Sequence, residues 1–278
     1  MLPEDECTDQ PMGNTGGVLT EIADGVLIRQ SGFCQSNAVV VRGRGEALLV
    51  DPGVDGHDLE ELADDLSASD TLVTAGFSTH PHWDHLLWHD RFGEVRRYGT
   101  TSCAAVARAR LTRLQEVAAR LAPGIQLDLV GAITALPRGS SRVPWSGPTV
   151  RIIEHQAHAP GHGALLIEDS GVLVAGDMLS DVEIPLFDPE AADPCSDYLM
   201  ALDLLAAACS KEVTVLIPGH GSVARGPDIR SRIDADRRYV EALRAGTDPR
   251  DPRVGSDASY GADWLPEAHE RNMHLARR

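Results

Sequence analysis

Residues 76–90, GFSTHPHWDHLLWHD, place four histidines and two aspartates within one short stretch. His80 and His82 are two residues apart on a segment that follows an apolar strand, and alternation along an extended chain directs both side chains to the same side. Asp84 and His85 follow at once, so three imidazoles and a carboxylate can converge on one point. Neutral imidazole and carboxylate are ligands that a divalent zinc ion takes. The stretch therefore predicts a metal site.

Histidine and aspartate residues also follow apolar strands elsewhere in the sequence. The runs LLVDPG and VLVAGD lead into Asp51 and Asp177. The run VLIPGHG leads into His220, and HAPGHG places His162 after a Pro-Gly turn. In layered α/β folds, the rim at which strand ends meet is a usual position for a site. We therefore expect these side chains to join the histidine stretch.

The charge and the hydropathy pattern exclude two classes of partner. The chain has 278 residues and a net charge of −17, and a protein this acidic repels the phosphates of nucleic acids. No apolar run approaches the ~18–20 residues that a membrane span needs. The N-terminal residues lack the apolar segment of a secretory signal, so we expect a cytoplasmic protein that acts on a small molecule. The oligomeric state stays open.

The five cysteines are scattered along the chain and show no CxxC spacing. This pattern argues against a disulfide framework and against a zinc site made of thiolates. We expect reduced thiols, most of them buried.

Hydrophobic periodicity divides the chain into two similar halves. Each half has the pattern of strands, a helix, a strand that ends in a histidine loop, and a further helix. Two such halves predict two sheets packed together with helices outside. Helices are expected at 56–66, 101–121, 196–209 and 228–245. The domain interpretation is a flexible arm at 1–17, one domain at 18–245, and a polar, partly disordered C-terminal tail at 246–278.

The pattern His80-x-His82-x-Asp84-His85, followed in order by a later histidine, an aspartate and a histidine, resembles the signature of the metallo-β-lactamase superfamily. The resemblance covers roughly residues 18–245. In its ligand set the sequence is similar to metallo-hydrolases such as glyoxalase II and the lactonases. The resemblance implies an α/β fold, classed as α+β in some schemes, in which a four-layer αβ/βα sandwich carries the site on one edge.

The resemblance also implies two metal ions. Zinc is the usual metal of the family, and iron or manganese accept the same ligands. The implied ligands are His80, His82 and His162 for the first metal, Asp84, His85 and His220 for the second, and Asp177 as a bridge between them. Asp51 would hold the histidine stretch in place without binding metal. His158, four residues before His162, would support the site from outside the ligand set.

The activity implied by the resemblance is hydrolysis by a metal-bridging hydroxide, with Asp84 orienting the nucleophile and passing on a proton. Asp177 stands where dedicated zinc β-lactamases have a cysteine or no ligand, so we do not expect a dedicated β-lactamase. Ser180 stands where many lactonases have a tyrosine, which removes one supporting feature of a lactonase. The apolar residues after Asp177 and the lack of a basic groove favour a small ester, thioester or lactone as the substrate.

Two alternatives stay open at this point. A redox enzyme similar to the mono-iron persulfide dioxygenases of this fold would use only the first-metal histidines. A non-catalytic metal-binding scaffold would keep the ligands without turnover, although a completely filled ligand set argues against it.

Overall fold

The first β-sheet is built by the N-terminal half of the chain. The computed structural model describes residues 17–210, 213–255, 258 and 260–278. The sheet contains β1 Thr20–Ala23, β2 Val26–Gln30, β3 Asn37–Arg42, β4 Glu46–Val50, β5 Leu72–Phe77, β6 Arg96–Gly99 and β7 Thr134–Ala135, side by side in sequence order. Pairing is antiparallel from β1 to β4 and parallel from β4 to β7. The sheet is therefore mixed.

The second β-sheet is built by the C-terminal half. Its strands are β8 Val150–His155, β9 His162–Ile167, β10 Val172–Gly176, β11 Val215–Pro218 and β12 Ala224–Arg225, and they lie in the order β12-β11-β10-β9-β8. Only β10 and β11 pair in parallel. A parallel pair needs a crossover connection, which α1 Gly56–Ala68 supplies between β4 and β5, and α4 Pro194–Cys209 between β10 and β11.

Three apolar clusters show how the layers pack. Side chains of both sheets meet in a central cluster that includes Val39, Phe77 and Leu165. The outer face of the first sheet is covered by α1 and by α3 Leu111–Leu121, which follows α2 Thr101–Ala109. The outer face of the second sheet is covered by α4, by α5 Pro227–Arg244 and by α6 Leu265–Leu275. The predicted four-layer sandwich is confirmed.

The structure differs from the predicted elements in several places. The helix expected over 101–121 is two helices, because Arg110 leaves helical geometry with φ −105° and ψ 10°. The break lets α2 bury Cys103 and Ala107 while α3 buries Leu114 on its own face. Within the histidine stretch, Trp83–His85 form a single turn of 3-10 helix for which the sequence analysis gives no expectation. Strands β7 and β12 have two residues each, too few for an alternating pattern to be recognised.

The C-terminal segment packs against the second half of the domain. The sequence interpretation separates 246–278 as a tail, whereas Leu265 and Leu275 of α6 are buried in the same cluster as α4 and α5. The arm interpreted at 1–17 lies outside the described residues, except for residue 17. Within those residues, no helix is long and apolar enough to cross a membrane.

One expectation about the cysteines is wrong. Cys34, in the loop between β2 and β3, is disulfide-bonded, whereas Cys103, Cys195 and Cys209 are free. Spacing alone did not indicate this bond, because disulfide partners are brought together by the fold and not by a local motif.

Candidate metal centre

The edges of the two sheets meet where four strands end. Strand β4 ends next to Asp51, and β5 delivers the chain to His80. In the other sheet, β10 ends next to Asp177 and β11 leads to His220. The two sheets face each other across one apolar cluster, and side chains that follow these strands come together at one shared rim.

The first cluster of possible metal ligands consists of His80, His82, His158 and Asp177. His82 Nδ1 lies 3.1 Å from His80 Nε2 and 3.0 Å from His158 Nε2. The two Nε2 atoms of His80 and His158 are 3.3 Å apart, and each lies 3.4 Å from Asp177 Oδ2. Three ring nitrogens and one carboxylate oxygen therefore face a common point.

Hydrogen bonds on the far side of the rings assign which nitrogen carries the proton. Thr79 donates its hydroxyl to Asp51 Oδ2 at 2.6 Å, so the same hydroxyl oxygen accepts from His80 Nδ1 at 3.0 Å. The Leu186 carbonyl accepts from His158 Nδ1 at 3.3 Å. The Nε2 atoms of both neutral rings consequently present lone pairs to each other. Lone pairs that face each other at this distance repel, and a cation between them turns the repulsion into coordination.

The second cluster consists of Asp84, His85 and His220, with Asp177 beside it. Asp84 Oδ2 lies 3.4 Å from His85 Nε2 and 3.3 Å from His220 Nε2. The Nδ1 atoms point away, because His85 donates to Asp51 Oδ2 at 2.9 Å and His220 donates to the Cys34 carbonyl at 2.9 Å. In the described part of the chain, His85 Nε2 and Asp177 Oδ1 are buried without a hydrogen-bond partner. A buried donor set of this kind fits a second divalent cation.

Asp177 joins the two clusters. Its Oδ2 lies 3.4 Å from the Nε2 atoms of His80 and His158 in the first cluster and 3.5 Å from His220 Nε2 in the second. Its Oδ1 lies 3.2 Å from His85 Nε2 in the second. Gly219 makes this position possible, because a Cβ at residue 219 would overlap Asp177 Oδ1. One carboxylate thus reaches both metal positions.

Asp51 accepts three hydrogen bonds from Thr79 and His85 of the histidine stretch. Its Oδ1 accepts from the Thr79 amide at 2.9 Å, and its Oδ2 accepts from the Thr79 hydroxyl and from His85 Nδ1. The residue has φ +46°, a left-handed conformation that is uncommon for residues other than glycine. The backbone therefore turns sharply after β4 to aim this carboxylate at the loop after β5.

The structure places His158, rather than the predicted ligand His162, beside His80, His82 and Asp177. His162 is the first residue of β9, opposite His155 of β8, and its ring stacks between His155, at 4.4 Å and 18°, and His80, at 5.0 Å and 16°. His158 lies before the Pro-Gly turn with φ +67°, and this turn directs its ring into the rim. Apart from His162, the structure brings all of the predicted ligands together.

Burial and charge set the protonation of the first cluster. Burial, with His80 next in effect, lowers the pKa of His158 to about 3. Burial and the neighbouring His80 hold the pKa of His82 well below its usual value. These rings are neutral at neutral pH without metal, which is the form that binds a cation.

The second cluster differs, because carboxylates surround it. Burial opposes the charged forms of His85 and His220, but Asp177 at His85, and Glu183 with Asp177 at His220, outweigh it and raise both pKa values well above the usual one. Burial likewise opposes ionisation of Asp177, yet the neighbouring histidines, His85 first, hold its pKa well below the usual value. A metal that binds here displaces protons.

Two groups of apolar side chains close to the ligands in sequence are buried in the core and do not line an opening. Trp83 and Trp88 are buried in the apolar cluster of the first half. The apolar residues after the bridging aspartate are each no more than 5% exposed and belong to the core of the second half; these are Met178, Leu179, Ile184, Leu186 and Phe187. His89 caps a 3-10 turn by accepting from the Arg91 amide.

Sequence reasoning missed Glu183 and Tyr260. Glu183 Oε1 lies 4.0 Å from His220 Nδ1 and accepts from the Tyr260 hydroxyl at 2.6 Å. Neither residue belongs to a recognisable motif, and Tyr260 lies in the segment interpreted as a tail. Only the folded chain brings them to the centre.

Comparison with known proteins agrees with this architecture. The sequence model described as the metallo-beta-lactamase superfamily matches residues 31–220. Among solved structures, the chain is similar to the DIM-1 metallo-beta-lactamase, with a TM-score of 0.63 and 18% identity over 82% of this chain and 99% of that one. It is also similar to a beta-lactamase domain protein from Burkholderia ambifaria, with a TM-score of 0.64 and 21% identity over 96% and 93%.

A third similar structure is a metallo-beta-lactamase family protein from Thermus thermophilus, with a TM-score of 0.63 and 20% identity over 91% of this chain and 94% of that one. No curated protein is significantly similar to the chain in sequence. Identities this low show the shared fold alone, whereas the family match spans every ligand of both clusters. The chain therefore belongs to the metallo-β-lactamase superfamily and carries the intact His/Asp metal site of a metallo-hydrolase.

Proposed function

We propose that the protein hydrolyses a small ester, thioester or lactone at a centre of two zinc ions. The observation that carries the proposal is the position of Asp177, whose one carboxylate contacts histidines of both ligand clusters. A bridging carboxylate favours two metals over one, and the set of imidazole and carboxylate ligands favours zinc. The bridge also argues against a dedicated β-lactamase and against a mono-iron centre that uses one cluster only.

The charges around the centre support an uncharged acyl substrate. Within the described parts of the chain, every ion pair of Asp84 and Asp177 is with a histidine. Enzymes that transfer phosphoryl groups usually add arginine or lysine to the metals to neutralise the charge of the transition state. The net charge of −17 further disfavours nucleic acid. A neutral carbonyl compound requires no such cation.

Burial of the loop after Asp177 removes one earlier argument for this substrate class. Its apolar side chains pack into the core and leave little surface for an acyl chain. The proposal therefore rests on the metal centre and on its charges. A small-molecule substrate without a nucleic-acid or membrane partner is part of the same proposal, and the cytoplasmic location stays a prediction.

The protein side chains have distinct tasks in such a reaction. Two bound divalent ions supply Lewis acidity and a water of lowered pKa. Asp84 is the more exposed of the two ligand carboxylates, at 12% against 6% for Asp177, and so lies on the open side of the centre. There it can accept the proton of the attacking water and return it to the leaving group. Asp51 and Thr79 keep His80 and His85 in the orientation that binding requires.

The test is a panel of ester, thioester and lactone substrates with the zinc-loaded protein and the variant Asp84→Asn. We expect kcat to fall by about 10²- to 10⁴-fold in this variant, the usual contribution of a general acid or base. Asp90→Asn is the matched control, because Asp90 is 64% exposed in the same stretch and lies away from both ligand clusters. Zinc content is measured for each protein. If the protein with two bound zinc ions hydrolyses no substrate of the panel, the proposal is refuted.

The metal that the purified protein contains decides between the proposal and its alternatives. Elemental analysis of protein purified without chelator is expected to give two zinc ions per chain. One iron per chain, with oxygen uptake in the presence of a persulfide, would instead favour the redox enzyme. Two metal ions per chain, with no substrate of the panel hydrolysed faster by the wild-type chain than by Asp84→Asn, would favour a non-catalytic metal-binding scaffold.

A further inference from the structure

The loop that connects Asp177 to α4 is fixed by residues from the C-terminal part of the chain. Arg253 donates to the carbonyls of Ser180, at 3.1 Å, and Glu183, at 2.7 Å. Asn272 of α6 donates to the Pro185 carbonyl at 2.5 Å and accepts from the Phe187 amide at 3.2 Å. The C-terminal segment therefore determines the path of this loop on both sides of Ile184.

One carbonyl of this loop orients a ligand of the first metal. The Leu186 carbonyl accepts from His158 Nδ1 at 3.3 Å and so assigns the lone pair of His158 to Nε2. Leu186 lies between Pro185 and Phe187, the two residues that Asn272 bonds through their backbone. Asn272 is fully buried, and its amide is held in turn by Tyr239 at 3.2 Å. A rigid amide thus sets the position of the carbonyl that aims His158.

A separate set of contacts orients a ligand of the second metal. Tyr260 donates its hydroxyl towards Glu183 Oε1, at 2.6 Å, and towards the Cys34 carbonyl, at 3.0 Å. The Cys34 carbonyl is the acceptor of His220 Nδ1 at 2.9 Å. Glu183 Oε1 faces the same ring edge of His220 at 4.0 Å. Both acceptors on the far side of His220 are therefore held by one phenol.

We propose that the C-terminal segment tunes the two metal positions separately, with Asn272 as a positioning residue for the first and Tyr260 as a positioning residue for the second. The proposal rests on the two-metal centre of the proposed function. The partners that orient a metal-bound histidine usually change metal affinity by about 10- to 100-fold when they are removed. Tyr260 and Asn272 contact the hydrogen-bond acceptors of the ligand histidines and not the histidines themselves. We therefore expect each substitution to weaken zinc affinity by about 10-fold, the lower end of that range.

The test compares the stepwise zinc affinities of the wild-type chain, Tyr260→Phe and Asn272→Leu by competition with a chromophoric chelator. The variants His158→Leu and His220→Leu assign each measured constant to one metal. Tyr260→Phe is expected to weaken only the second metal, and Asn272→Leu only the first. Tyr98→Phe is the matched control, because Tyr98 is a buried tyrosine between the sheets, away from the C-terminal segment. Circular dichroism of the metal-free proteins reports whether each variant folds.

Each outcome decides the proposal. Equal weakening of both metals, or no weakening in a folded Tyr260→Phe protein, would overturn it, because a general loss of stability does not select one site. If Asn272→Leu does not fold, the effect of Tyr260→Phe on the two constants decides alone. A wild-type chain that binds one zinc would overturn this proposal together with the two-metal centre. Two zinc ions with the expected selectivity, but no turnover, would leave it standing and would refute only the proposed hydrolysis.

Discussion

The structure places His158 in the first cluster, where the sequence analysis expects His162. This difference can be tested directly. The matched pair His158→Leu and His162→Leu removes one imidazole from each position and keeps a side chain of similar volume. Both residues are almost completely buried, and they lie on either side of the same Pro-Gly turn. Any difference between the variants therefore reports coordination and not burial.

The magnitude follows from the number of ligands. Zinc binding to a four-ligand protein site is worth about 10–16 kcal/mol, so one ligand contributes on average about 3 kcal/mol, or about 200-fold in affinity. His158 Nε2 faces the nitrogens of His80 and His82 and the carboxylate of Asp177, so its loss should weaken the first metal by about this factor. Among the described residues, neither ring nitrogen of His162 has a hydrogen-bond partner or joins a ligand cluster, so its replacement breaks no hydrogen bond there.

The assay is zinc stoichiometry by elemental analysis after dialysis against a zinc buffer, with affinities from chelator competition. We expect one zinc per chain for His158→Leu and two for His162→Leu, whose first-site affinity should stay within about 3-fold because only ring stacking on His80 is lost. The opposite result would refute the geometry: loss of the first metal in His162→Leu and its retention in His158→Leu.

Three further perturbations follow from the same site. Because the pKa values of His85 and His220 are raised without metal, the second zinc should bind more weakly as the pH falls and should release protons that the first zinc does not. Calorimetry in buffers of different ionisation enthalpy measures the protons released at each step, and equal release at both steps would contradict this expectation. Asp51→Asn should weaken the second metal by about 10- to 100-fold, because the amide has one acceptor oxygen where Asp51 accepts through two, so either the Thr79 amide or His85 Nδ1 faces an NH2 group. An unchanged zinc titration would rule this out. Burial lowers the pKa of His155 to about 3, so between about pH 6.5 and 3 this residue is protonated in the unfolded chain only, and the unfolding free energy falls as the pH falls. His155→Phe should reduce the loss in unfolding free energy between pH 7 and 5 by about 2 kcal/mol, measured by urea titration of the metal-free protein. An equal loss in the wild-type chain and in the variant would contradict this expectation.

The parts of the fold that the sequence predicts are those with a strong local signal. Strands such as β4 and β10 are buried on both faces, so they occur as continuous apolar runs that end in a polar residue. The ligands His80 to His85 lie within one short loop, so residues that are close in sequence are also close in space. A local sequence motif is enough to predict that these side chains lie together, because no long-range contact is needed to bring them to the cluster.

The residues that the sequence did not predict depend on backbone conformation and on long-range contacts. HAPGHG offers two histidines with the same composition around them, and the folded backbone, with a positive φ at His158 and His162 at the start of β9, brings only the ring of His158 into the first cluster. Tyr260 and Asn272 contact groups that are 77 and 87 residues away in the chain, respectively. No periodicity or spacing carries that information, because it arises when α6 packs against the second half.

The metal centre lies on the seam between the two halves of the chain. His80, His82, Asp84 and His85 follow a strand of the first sheet, whereas the remaining ligands follow strands of the second. Backbone bonds close the seam beside them, from the Asn37 amide to the Gly219 carbonyl and from the Gly163 amide to the Thr79 carbonyl, both at 2.8 Å. Neither half can complete either metal site alone, so a metal is expected to bind the assembled sandwich more tightly than the unfolded chain. Bound metal therefore stabilises the packing of one sheet against the other, and not merely the loops that carry the ligands.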